Sequence, residues 1–170
     1  MVVFITGASH TGKTLLAQKL AEKYHYPCIS ADLIKMGLIR SGKTKLNPCQ
    51  DKEIKEYLWP VLAEMAKTAV ENEQNLIIEG IYIPCDWKKY FEEKYIEDIK
   101  FICLVMSEKY INRHFDKVLK YSNIAEKRIG DDFGTKEEFK EENRQYLNSC
   151  IQNKCEYLLI DDEYDVNIEL

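Results

Sequence analysis

GASHTGKT, residues Gly7 to Thr14, decides how this 170-residue chain is read. Two glycines bracket four variable residues, and a lysine and a hydroxyl residue close the run. The pattern G-x-x-x-x-G-K-[ST] marks a phosphate-binding loop when a strand leads into it and a helix leads out. Both flanks are present. VVFIT (2–6) is an apolar run of strand length, and Leu16, Ala17, Leu20 and Ala21 make a helical stripe just after the loop.

The chemistry explains the spacing. Gly7 and Gly12 permit backbone angles that turn successive N–H groups inward around a phosphate, with Ala8, Ser9, His10 and Thr11 between them. The N-terminus of the following helix adds partial positive charge. Lys13 has the reach for β- and γ-phosphates, and the Thr14 hydroxyl stands where Mg²⁺ is ligated. His10 is read as filling a variable position. The expected ligand is ATP with Mg²⁺, since no guanine-specific signature is evident.

Outward from the loop, strand-length apolar runs recur at 27–30 (PCIS), 75–79 (NLIIE), 100–106 (KFICLVM) and 157–160 (YLLI). Helical patterns lie between them. One carries Ile54, Leu58, Leu62, Met65 and Ala69, with Pro60 predicting a kink or a restart. Asp86 is expected to cap a short helix holding Trp87, Tyr90 and Phe91, and Ser107 another holding Tyr110, Ile111, Phe115 and Leu119. Thr135 and Glu138 read as a capping box opening a last helix to about Gln152. Strands alternating with helices predict an α/β parallel sheet covered on both faces, in a single domain spanning 1–170.

Three features extend the reading from binding to chemistry. Asp32 follows the second strand run, and strand carboxyl ends border the ligand crevice of a doubly wound sheet. A carboxylate there can orient an acceptor hydroxyl and take its proton, or simply favour a helix's first turn. Lys35 and Arg40 follow on the same segment, placed to hold an anionic substrate or to face solvent. Glu79 ends the strand LIIE and would hold Mg²⁺ or contact the acceptor, with Gly80 letting a ligand approach the backbone; an exposed strand-end acid is the plain alternative. Finally, residues 109–128 hold six bases against two acids, whereas 131–170 hold four against twelve. A basic segment in an acidic protein fits a phosphate-covering lid over 109–130, with Arg113 and Arg128 as its candidate phosphate ligands. A solvated helix face is the competing account.

The totals set outer bounds. A net charge of −5 argues against a general nucleic-acid binder. No apolar run reaches the length of a membrane span. Six cysteines, at 28, 49, 85, 103, 150 and 155, include no C-x-x-C pair, and only three histidines accompany them, so no zinc site is expected. Cys28 and Cys103 lie in apolar runs and are expected to be buried. MVVFITG offers no basic stretch before its apolar run, so no signal peptide is expected and the thiols are read as reduced and cytoplasmic. DFG at 132–134 lacks the companion motifs of a protein kinase and is read as a loop.

Taken together, VVFITGASHTGKT, ISADLIK, LIIEG and the basic stretch after LVMSE resemble the small-molecule kinases of the P-loop class. That class includes adenylate, shikimate and gluconate kinases, chloramphenicol phosphotransferase, zeta-toxin-type kinases and bacterial proteins labelled 2-phosphoglycerate kinase. The resemblance implies the three-layer P-loop NTPase fold, with a five-stranded parallel sheet in the order 2-3-1-4-5. It also implies ATP and Mg²⁺ at the loop, and Asp32 at the position several relatives use to bind or deprotonate the acceptor. The acceptor would be bound by about 32–74, and the turn after Ile160 would lie near the adenine. The chain departs from adenylate kinase in lacking its arginine pair in the lid and its monophosphate-binding arginines. A hydroxyl on a small metabolite or antibiotic is therefore expected as acceptor. A nucleoside or nucleotide kinase, a nucleic-acid end kinase, and a non-kinase ATP-binding switch or toxin-system module stay open, as does the choice of monomer or homodimer.

Overall fold

The computed structural model describes residues 1–125 and 134–170, with 121–125 as backbone only. Strands and helices alternate along the chain. β1 (Val2–Gly7) leads to α1 (Lys13–Tyr24), and β2 (Cys28–Ser30) to α2 (Ala31–Arg40) and α3 (Asp51–Glu71). β3 (Leu76–Glu79) is followed by a 3-10 turn at Trp87–Tyr90 and the one-turn α4 (Glu93–Ile96). β4 (Ile99–Met106), α5 (Glu108–Ala125), α6 (Lys136–Asn153) and β5 (Tyr157–Ile160) complete the order.

All pairings in the five-stranded sheet are parallel, and its order is β2-β3-β1-β4-β5. The strands read as unbroken apolar runs because both faces are covered. Alternate residues feed the two layers. Val2 and Phe4 of β1 with Phe101, Cys103 and Val105 of β4 pack under α3, against Leu58, Trp59 and Leu62. Val3, Ile5, Ile102 and Leu104 pack on the other side against Leu16 and Leu20 of α1 and Ile111 of α5. The last long helix serves both layers, giving Phe139 to the second and Cys150 to the first.

The predicted elements are present with five adjustments, the first being that the short helix after Asp86 is a 3-10 turn ending at Tyr90, with Phe91 extended. α3 runs through Pro60 without a restart, because Pro60 lies on the exposed face, where the carbonyl it leaves unbonded can meet water. Asp86 makes no side-chain cap; its carboxylate pairs with Lys89 at 3.1 Å instead. α5 is broken at His114 (φ −124°, ψ 15°). Cys28 is exposed rather than buried, since β2 is a three-residue edge strand bonded on one side only. The other caps form as expected: Ser107 Oγ accepts from the Tyr110 N–H at 3.0 Å, and Thr135 and Glu138 make the full capping box. Asp132 and Phe133 of the DFG string lie outside the described residues.

The sheet register brings the candidate residues to one edge. Ser30, Glu79 and Ile5 stand in one row across β2, β3 and β1. Asp32, Gly80 and the loop from Gly7 therefore all leave the same carboxyl end, where open α/β sheets bind ligands.

Candidate active site

The loop is built by main-chain geometry. It leaves β1 at Gly7 and turns through His10 (φ 60°) and Gly12 (φ 86°) into α1. Gly12 cannot be replaced freely. Its backbone is left-handed, and an added Cβ would stand 1.8 Å from the Tyr164 hydroxyl. As the N-cap of α1, it also offers no side-chain acceptor to the first-turn N–H groups, which helices leave to a cap or a bound anion.

Side chains then fix the loop. The Ala8 carbonyl accepts from Thr11 Oγ1 at 2.8 Å and from Lys13 Nζ at 2.7 Å. Lys13 is buried, so its ammonium is held at the loop rather than in solvent; burying a cation is costly unless it is satisfied. The Ser9 N–H and hydroxyl both donate to Glu142 Oε1 of α6, at 2.9 and 3.0 Å. His10 stacks on Phe139 with ring centroids 5.4 Å apart, which agrees with a filling role. From the far end of the chain, the Tyr164 hydroxyl donates to the Thr11 carbonyl at 3.1 Å. Burial pushes its pKa up to about 12, which keeps it a donor at neutral pH. The turn after Ile160 thus lies against the loop.

Beside the loop, Thr14 Oγ1 donates to Glu79 Oε2 at 3.3 Å. Glu79 is buried, not an exposed strand-end acid. A hydroxyl and a carboxylate converging at a phosphate loop form a hard oxygen donor set, which fits Mg²⁺. Gly80 (φ 150°) also packs closely within the chain. Ala31 makes the close approach there, 2.7 Å from where a Cβ would be, and this packing seats the start of α2 against the end of β3.

Asp32 occupies the first turn of α2 and pairs with Lys35 Nζ at 2.7 Å, both side chains partly buried. Lys35 also donates to the Tyr82 hydroxyl at 2.7 Å, and that hydroxyl donates to Asp51 Oδ1 at 2.8 Å. A relay of four polar side chains thus runs from Asp32 to the start of α3. Arg40 stands apart, exposed at the far end of α2, about 12 Å from Asp32 along the helix axis at 1.5 Å per residue. Most of α3 is core: Ile54, Leu58, Trp59, Leu62, Ala63, Ala66 and Ala69 are buried. Only its first residue, Asp51, joins the relay.

Two bases of the basic segment pair with acids. Lys109 Nζ lies 2.5 Å from Asp162, and Arg113 pairs with the same carboxylate at 3.3 Å. The hydrogen bond that Lys109 donates to Asp162 holds its pKa above the usual value. Arg128 lies outside the described residues.

Tyr82, Asp51, Glu142 and Tyr164 were not foreseen from the sequence. Each contacts the site across at least 31 positions of chain, and no motif marks any of them.

No family model matches the chain, and no curated protein sequence is recognisably similar to it. Solved structures share its architecture. Deoxyadenosine kinase from M. mycoides superposes with a TM-score of 0.56 at 18% identity, covering 97% of this chain and 92% of that one. Shikimate kinase from Bacteroides thetaiotaomicron gives 0.53 at 18% identity, covering 95% and 86%. A gluconokinase from Sinorhizobium meliloti gives 0.53 at 14% identity, covering 94% and 81%. Among the described residues no helix is long and apolar enough to cross a membrane. The chain has the fold of the P-loop kinases.

Proposed function

We propose that this protein transfers the γ-phosphoryl group of ATP to a hydroxyl of a small molecule. One observation carries the reading: the Thr14–Glu79 contact joins the phosphate loop to β3, next to the strand end from which Asp32 projects. The shared sheet edge supports reading the loop as a triphosphate cradle and Asp32 as an acceptor carboxylate.

The loop N–H groups and Lys13 would hold the triphosphate, with Ala8, Ser9, His10, Thr11 and Gly12 lining it. Thr14 and Glu79 would hold Mg²⁺, which when bound neutralises charge on the β- and γ-phosphates. Asp32 would accept the proton of the acceptor hydroxyl as its oxygen bonds to phosphorus and the β–γ bridging bond breaks, releasing ADP. Lys35, fixed by Tyr82, keeps the Asp32 carboxylate in one orientation, and the rate gain comes from such positioning. Arg40 is too distant along α2 for direct contact with that carboxylate and would act only on an extended acceptor. Arg113 would reach phosphate only after leaving Asp162, and Arg128 is proposed beside it on the strength of sequence alone. Together with 109–130 they would form the lid, while 32–51 and Tyr82 would form the acceptor side, all within one domain.

The structural likeness to gluconate, shikimate and deoxyadenosine kinases supports a hydroxyl acceptor of this size. The test is a panel of polyols, hydroxy acids, aminoglycosides and nucleosides with γ-labelled ATP. Label should pass from ATP to one class in the wild type and fall to background in Lys13→Ala. Transfer to an oligonucleotide end alone, or ATP hydrolysis with no acceptor labelled, would replace this reading.

A further inference from the structure

Three thiols that phosphoryl transfer does not use meet beneath the sheet. Cys85 comes from the segment after β3, Cys103 from β4 and Cys150 from the end of α6. All three are buried, and their sulfurs lie within 4.8 Å of one another. The Cys85 and Cys150 sulfurs are 3.6 Å apart. They are far apart in sequence, which is why spacing gave no hint of them.

A buried cysteine is often just a small apolar filler. Two observations argue for more here. First, the size is right. Zinc bound at about 2.3 Å to each sulfur sets its thiolates roughly 3.7–4.0 Å apart, between the shortest contact seen and the outer limit. Second, a further thiol lies near this segment without joining the cluster: Cys155 donates to the Cys85 carbonyl at 2.8 Å.

We propose that Cys85, Cys103 and Cys150 bind one zinc ion, with a water molecule in the fourth position. The ion would tie the segment after β3 and the end of α6 to the middle of the sheet. α6 also carries Glu142, which holds the loop through Ser9, so the metal would stiffen the brace behind the phosphate site. The proposal does not rest on the kinase reading.

The full chain, reduced and freed of metal by chelator, is titrated with Zn²⁺ and separately with Cd²⁺. One ion should bind per chain, with a thiolate-to-cadmium charge-transfer band and a raised melting temperature. In the wild type, zinc should shield at least three thiols from a mercurial reagent while the exposed Cys28 and Cys49 still react. Cys103→Ala should weaken binding roughly a hundredfold or more, whereas the double variant Cys28→Ser, Cys49→Ser should bind as the wild type does. Absence of a charge-transfer band, unshielded thiols, or binding lost in the Cys28/Cys49 variant would each overturn the site. So would recovery of a Cys85–Cys150 disulfide in place of bound metal when zinc is present during air-free purification.

Discussion

The two sides of the site are held together in different ways. On the proposed nucleotide side, most of the parts sit within eight consecutive residues, where Thr11 and Lys13 bond back to the Ala8 carbonyl and Gly12 sets the turn. Glu79, Glu142 and Tyr164 brace them from elsewhere in the chain. On the proposed acceptor side, Asp32, Lys35, Tyr82 and Asp51 come from α2, the segment after β3 and the first residue of α3. A main-chain device needs a local pattern, whereas a side-chain relay needs the fold to be complete. The first should fail abruptly when one residue changes, and the second should degrade in steps.

The largest expected effect is at Lys13. Removing one preorganised donor from a charge-stabilising site costs roughly 10²–10³ in turnover, so Lys13→Ala should lose at least that much in labelled-phosphate transfer. Its far-UV circular dichroism should be unchanged. Next comes Asp32→Asn, expected to lower kcat about a hundredfold if Asp32 is the base while ATP affinity holds. An unchanged kcat would reduce Asp32 to a helix-start residue. Gly12→Ala forces an alanine into left-handed backbone and drives Tyr164 off the loop. It should cost about 1–3 kcal/mol of stability and weaken ATP binding, read by chemical denaturation and by titration.

Smaller effects sharpen the contrast. Tyr82→Phe deletes the hydroxyl linking Lys35 to Asp51. A net hydrogen bond is worth about 0.5–1.5 kcal/mol, so a loss of roughly two- to tenfold in kcat/KM for the acceptor is expected, with ATP affinity unaffected. Arg113→Ala should do least. Its partner Asp162 is exposed, and such pairs contribute about 0–1 kcal/mol, so transfer should fall by less than about fivefold. A loss of hundreds would make Arg113 a true phosphate ligand.

Much of the fold was legible because its signals are local. Apolar runs marked each strand, and the Thr135–Glu138 box and Ser107 marked helix starts that formed as expected. The order of the strands was not readable from those runs; it came from resemblance and was met in full. Of the site, GASHTGKT was explicit, and Asp32 and Glu79 were visible as acids at strand ends. What stayed hidden depends on contacts distant in sequence. Nothing near Tyr82, Glu142 or Tyr164 indicates that the first meets Lys35, the second Ser9 and the third Thr11. Gly80 was noticed, but its close packing against Ala31 was not foreseen. Cys28 misled for a related reason: an apolar run does not reveal that its strand will be an edge.

Calorimetric titration of Mg·ATP into the wild-type chain and into Lys13→Ala tests most directly whether the loop grips the triphosphate. The account predicts one-to-one saturable binding by the wild type and a dissociation constant raised at least tenfold, about 1.4 kcal/mol, in the variant. No binding by the wild type, or equal affinity in both, would contradict it.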